Sequence, residues 1–243
     1  MRVLAAGAAT VVFCITSAAQ SPEAPLLRQS LGFSGMTWNV KDSGPRKVGP
    51  GPNWFSAGNV NVDAAGGLHL RATNRGGACV AAEVVLVPSL GYGTYEFTVD
   101  SNLGSLAKNL VLGLFIWDDT PSDPYHREMD IEIGRWGRED NGDAQFVIQP
   151  YDIPDNMVRF RLPTPVQRSV HRFVWEPERA SFHSEELGAS GVHTVIREHS
   201  FNNMIPEPGK EQARINLWCM DSKAPSEGLT EVVLSNFRFT PPR

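Results

Sequence analysis

Three carboxylates stand at alternate positions, Glu128, Asp130 and Glu132, with Met129, Ile131 and Ile133 filling the gaps. In a strand, alternate side chains share a face, so this spacing groups the acids and turns the apolar residues toward a core. A helix would rotate Asp130 away from both glutamates. No lysine or arginine is interleaved to relieve the repulsion. Glycoside hydrolysis needs such a grouping, because two carboxyl groups must flank the scissile bond, one as acid and one as nucleophile or base. At about 3.3 Å per residue, the Cα atoms of Glu128 and Glu132 lie roughly 13 Å apart. Glutamates leaning together, each reaching ~4 Å, bring their carboxyls near the ~5–5.5 Å of a retaining enzyme. Adjacent acids are also close enough, so spacing alone leaves the roles open. Two other readings are a solvated outer face and a calcium site, since hard cations prefer carboxylate oxygens. Ligands spread along one straight strand surround an ion poorly.

The elements that must position these acids read as short strands between turn residues. Asn59–Val62 and Leu68–Ala72, separated by Gly66-Gly67, predict a hairpin. Further strands are expected over Ala81–Val87, Thr94–Val99, Leu110–Trp117, Ala144–Ile148, His171–Trp175, Val192–Arg197, Ile215–Cys219 and Val232–Phe239. The near-continuous apolar run Leu110–Trp117 reads as an inner strand. Helical periodicity is almost absent. About a dozen such strands predict an all-β, two-sheet antiparallel sandwich or jelly roll.

The chain has 243 residues, a size at which one β-sandwich domain is ordinary. A net charge of −5 without a basic cluster argues against nucleic acid as a partner. Residues 1–19 resemble a secretory signal: Arg2, an apolar stretch from Val3 to Ile15, and a small-residue site at Ser17-Ala18-Ala19. That stretch is too short for a membrane span. A polar leader is expected over residues 20–31 and a single domain over 32–243. Removal of the signal takes Cys14 and leaves Cys79 and Cys219, an even pair in an oxidising compartment. They form either a disulfide closing a long loop or two buried thiols. A secreted monomer without a membrane span is expected.

Several segments together resemble glycoside hydrolase family 16, within the concanavalin A-like superfamily. Glu128, Asp130 and Glu132 match its Glu-x-Asp-x-Glu strand, and Gly91-Tyr92-Gly93-Thr94-Tyr95-Glu96 matches an earlier strand opening. Val170–Pro177, Ile215-Asn216-Leu217-Trp218 and Phe237–Pro241 look like later family segments, in the family's order. The resemblance covers nearly all of the chain after the signal. It implies a concanavalin-like jelly roll and a retaining endo-glycosidase acting on a β-linked polysaccharide, β-glucanase-like. Glu128 would be nucleophile, Glu132 acid/base, and Asp130 the helper that tunes Glu128. The unbulged triplet is the form of the lichenase and xyloglucan transglycosylase-like branches.

The chain also departs from the family pattern. Gly113-Leu114-Phe115-Ile116-Trp117 stands where the family often has Ala-x-Trp, so the aromatic platform is altered. Asn236 replaces an Asp that often helps bind structural calcium, leaving no clear ligand set for that ion; no cofactor is required. Trp117, Trp136, Gln149, Tyr151 and Trp218 are expected to contact substrate, since sugars stack on aromatic faces and bind amides. Core packing is the competing role for each tryptophan. His126 and Arg127 either line the site or form a turn. A non-catalytic sugar-binding module on the same fold, and a transglycosylase using the same site, are the rival functions; a calcium-binding adhesion domain is a third.

Overall fold

The computed structural model describes residues 26–120, 123–188, 191–226 and 228–242, so the expected signal sequence lies outside the described residues. The strands, in chain order, are β1 (Leu26–Phe33), β2 (Met36–Asp42), β3 (Trp54–Phe55), β4 (Val60–Val62), β5 (Leu68–Arg75), β6 (Ala78–Leu86), β7 (Gly93–Val99) and β8 (Leu110–Trp117). They continue as β9 (Met129–Gly134), β10 (Ala144–Ile148), β11 (Met157–Phe160), β12 (Ser169–Glu176), β13 (Arg179–Leu187), β14 (His193–Phe201), β15 (Gln212–Cys219) and β16 (Leu229–Thr240). The expected leader ends inside β1. Its residues Leu26–Leu31 pair with β2, and the turn between them uses left-handed Ser34 and Gly35, which suits a tight hairpin.

Two sheets form and share β6. Its first residues, Ala78–Val80, pair with β5, whereas Ala82–Leu86 lie between β2 and β15. One sheet runs β1-β2-β6-β15-β8-β9-β10-β11. The other runs β5-β16-β7-β12-β13-β14, with β4 against β5. The core lies between them. Met129, Ile131 and Ile133 of β9 are wholly buried there, as the alternation requires. Phe146 of β10 meets Phe182 of β13 across the layers, ring centroids 5.2 Å apart. Each such large apolar side chain contributes roughly 1.5–3 kcal/mol by leaving water.

Cys79 and Cys219 are joined, Cα–Cα 6.2 Å, across a sequence separation of 140. The bond sits where β6 leaves one sheet for the other, so it clasps the fork. In the chain-entropy view, closing a loop of this length contributes about 4–5 kcal/mol. A Cys79→Ser/Cys219→Ser double variant should lose about 4 kcal/mol of unfolding free energy in denaturant titration. An unchanged midpoint would refute this role, and free thiols in the denatured, unreduced protein would refute the bond.

Candidate active site

The face of the β6-side sheet turned away from the core carries two crosswise rows. Strand pairing aligns Glu83, Asn216, Gly113, Glu132, Gln145 and Arg159 in one row, from β6 through β15, β8, β9 and β10 to β11. The next row is Val85, Arg214, Phe115, Asp130, Val147 and Met157. Of these, Glu83, Asn216, Gly113, Glu132, Arg214, Phe115 and Asp130 line a cleft of about 400 Å³, and Glu128 lines it too. Gly113 has a specific reason to be glycine: a Cβ there would lie 2.5 Å from Asn216 Oδ1. That oxygen instead accepts the Gly113 N–H at 3.1 Å.

Glu128 stands one residue before β9. Its N–H donates to Tyr125 O, and its carbonyl accepts from Gln149 N. The two residues before it, His126 and Arg127, are both left-handed, at φ 56° and 53°. Asp118 holds this bend: Oδ2 accepts from Arg127 Nη1 at 2.8 Å, and its carbonyl meets His126 Nδ1 at 2.7 Å. A carbonyl can only accept, so this contact places a proton on Nδ1. Trp117 stacks on His126 at 4.0 Å with planes 9° apart, and both line the cleft.

The three acids share a poor environment for charge. Burial is the largest cause raising Glu128, followed by the charge of Glu132; a hydrogen bond from Asp130 opposes both. Asp130 is raised well above the ordinary carboxyl value by burial and by both glutamates, and its bond to Glu128 reinforces this. Asp130 is therefore the proton carrier of that pair and donates to Glu128. Glu132 is raised by burial, against the Gln145 amide and the charge of Arg159.

A second charged group walls the cleft. Lys41 Nζ donates to Glu83 Oε2 and to Gly49 O, both at 2.8 Å. Arg214 reaches Glu83 Oε1 at 3.2 Å and Asp119 Oδ2 at 2.5 Å, and its buried Nε has no partner. Burial pulls the Lys41 ammonium below its ordinary value despite Glu83.

Of the residues expected to contact substrate, Trp117 and Trp218 line the cleft. Trp218 packs against Gly51, whose left-handed backbone and missing Cβ leave room for the ring. Trp136, Gln149 and Tyr151 are outside this lining. Gln149 Nε2 donates to Asp130 Oδ2 at 3.1 Å, Trp136 lies under the Arg159 guanidinium, and Tyr151 is 61% exposed. Sequence reasoning missed Lys41, Glu83, Asp119, Arg214, Gln145 and Arg159 as site residues, and read Asn216 only as part of a family segment. Glu83 and Asn216 carried a usable signal, as polar residues within apolar strands. Among the described residues, no group of three or more His, Cys, Asp or Glu side chains could hold a metal ion.

No protein-family model and no curated protein matches the sequence. Solved structures do match in fold. A Bacillus licheniformis β-glucanase shares 19% identity at TM-score 0.62, over 84% of this chain and 92% of that one. A glycoside hydrolase family 16 endo-glucanase from Bacteroides ovatus shares 13% identity at TM-score 0.62, over 84% and 94%. A Mycobacterium tuberculosis protein described as a pseudo β-1,3-glucanase shares 20% identity at TM-score 0.60, over 85% and 91%. These likenesses show that the chain has the jelly-roll fold common to those glucanase structures.

Clustering the acids should cost stability in a pH-dependent way. Glu128 is pushed from an ordinary 4.5 up to about 8, mainly by burial. Between those values the folded chain holds a proton that the unfolded chain has lost, so stability falls as pH rises and the cost is complete above about 8. Glu128→Gln should therefore raise the thermal midpoint above pH 8, with the gain shrinking toward pH 4.5. Equal midpoints at pH 9 would sink this account.

Proposed function

We propose that this chain is a glycoside hydrolase of family 16, an exported, monomeric, retaining endo-glycosidase that cleaves β-glucan. One observation carries the proposal: three carboxyls from one strand segment meet in a single cleft, one hydrogen-bonded to its neighbour and another held by a separate amide. Three equivalent solvated acids would not show this division. The fold shared with solved glucanases supports the reading.

The reaction needs the negative charge on Glu128 while Asp130 and Glu132 keep protons; because burial pushes Glu128 up to about 8, the fraction in this state grows as pH rises toward that value. Glu132 gives its proton to the glycosidic oxygen as a Glu128 oxygen attacks the anomeric carbon. The bond to the leaving sugar breaks and a glycosyl ester forms. Glu132, now ionised, takes a proton from water; the water oxygen attacks the same carbon and releases Glu128. Asp130 steadies the Glu128 charge without bonding to sugar. Trp117, Phe115 and Trp218 offer apolar faces to the rings, and Glu83, Arg214 and Asn216 offer polar contacts to hydroxyls.

The pseudo-glucanase likeness keeps a binding-only reading in view, and azide rescue separates the two. Glu128→Ala should nearly abolish turnover of glucan. Azide should then attack a dinitrophenyl β-glycoside from the vacated α side and give an α-glycosyl azide. Glu132→Ala should still form the glycosyl-enzyme from substrates with good leaving groups, and azide should intercept it to give a β-glycosyl azide from such substrates. If Glu128→Ala gives the β-azide and Glu132→Ala the α-azide, the two roles are reversed. A wild-type protein that binds glucan without cleaving or transferring it makes the chain a sugar-binding module.

The pH–rate profile gives a separate check. Activity needs one ionised and one protonated glutamate, so it should be bell-shaped. Burial raises all three acids, which moves both limbs upward from the ordinary carboxyl range. A faster rate at pH 4.5 than at pH 7 would contradict this.

A further inference from the structure

Arg159 stands on β11, the edge strand of its sheet, two strands from Glu132. Its Nε donates to Gln145 Oε1 at 3.1 Å, and its Nη2 donates to the same oxygen. Gln145 Nε2 in turn donates to Glu132 Oε2. The arginine is held from two sides. Its guanidinium carbon lies 4.3 Å from the Trp136 ring centre, and a Cβ on Gly142 would come within 2.7 Å of its Cγ. Trp136 adopts a left-handed backbone, φ 47°, as it lies beneath that guanidinium.

Hydrogen-bond chemistry makes this chain directional. A guanidinium has only donors, so the Gln145 oxygen must face Arg159 and the NH₂ must face Glu132. An NH₂ cannot accept, so the Glu132 oxygen it meets, Oε2, cannot direct a proton at it. Among the described residues, no protein group hydrogen-bonds Oε1 of Glu132. We infer that Arg159 is a positioning residue that acts through Gln145 to confine the catalytic proton of Glu132 to Oε1, the oxygen left free to meet the glycosidic bond. This inference rests on the acid/base role proposed for Glu132.

The charged groups facing Glu132 are Glu128 and Asp130 from its own segment and Arg159 from β11; its β8 neighbour is Gly113, which carries none. Loss of Arg159 lets the Gln145 amide turn its oxygen toward Glu132 and removes the nearby positive charge. Both changes favour the protonated form but leave its proton misdirected.

The test is Arg159→Gln, an exposed edge-strand change that spares the core, with Arg159→Lys as the conservative variant. On β-glucan, kcat/KM should fall about tenfold, a fraction of the ~10²–10⁴ that general acids contribute. On a dinitrophenyl β-glycoside, whose leaving group needs no proton, kcat/KM should stay within about twofold, because the general-acid contribution is not in play there. Arg159→Lys should recover part of the glucan rate. Carbon-13 titration of the Glu132 carboxyl, assigned by its absence in Glu132→Gln, should move upward in Arg159→Gln. Equal losses on both substrates, or an unmoved Glu132 titration, would overturn the inference. If the wild-type protein cleaves neither substrate, the glycosidase reading fails, and the carboxyl titration still decides whether Arg159 acts on Glu132.

Discussion

Withdrawal of three like-charged carboxyls from water, on a strand whose other face is the core, is the constraint from which the rest follows. Water would otherwise solvate each acid, and the cleft supplies only partial substitutes: Asp130 for Glu128, Gln149 for Asp130, and Gln145 for Glu132. These substitutes come from the acids themselves or from neutral amides, and the Arg159 cation meets Glu132 only through Gln145. A direct arginine partner would hold a carboxylate charged across the whole working range and remove its use as a proton donor. The cleft instead shifts all three acids upward, toward their proton-bound forms.

The opposite wall is built differently. Lys41, Glu83, Arg214 and Asp119 form direct ion pairs, so their charges are spent on one another and on holding β2, β6, β15 and the segment after β8 together. One side of the cleft is electrostatically settled and the other is poised. The disulfide between β6 and β15 lies close to the settled side in sequence, at the strand whose Glu83 both cations share.

The alternation of β9 was legible because the core enforces it locally: once Met129, Ile131 and Ile133 must be inside, the acids must be outside. The strands Leu110–Trp117 and Ala144–Ile148 were legible for the same reason, being apolar and central. What escaped was the periphery. β1 mixes polar and apolar residues and reads mostly as a leader, and β2, which delivers Lys41, is not predicted as a strand. β11 has four residues, mostly half-buried on a sheet edge, and yet delivers Arg159. The polar network pairs residues far apart in sequence, Lys41 with Glu83 and Glu83 with Arg214, and local pattern carries no information on such register. Gln149 was legible as a site residue but not in its role, since its partner is an acid of the triplet.

The register of β9 has a consequence for folding itself. Shifting this strand by one residue against β8 or β10 would drive three carboxyls into the hydrocarbon interior and leave Met129, Ile131 and Ile133 facing water. Burying even one unpaired acid costs several kcal/mol, so a misaligned ladder is rejected without any specific contact to forbid it. Sheets whose strands are apolar on both faces lack this safeguard and can slip. The acids here check strand alignment independently of anything the cleft binds.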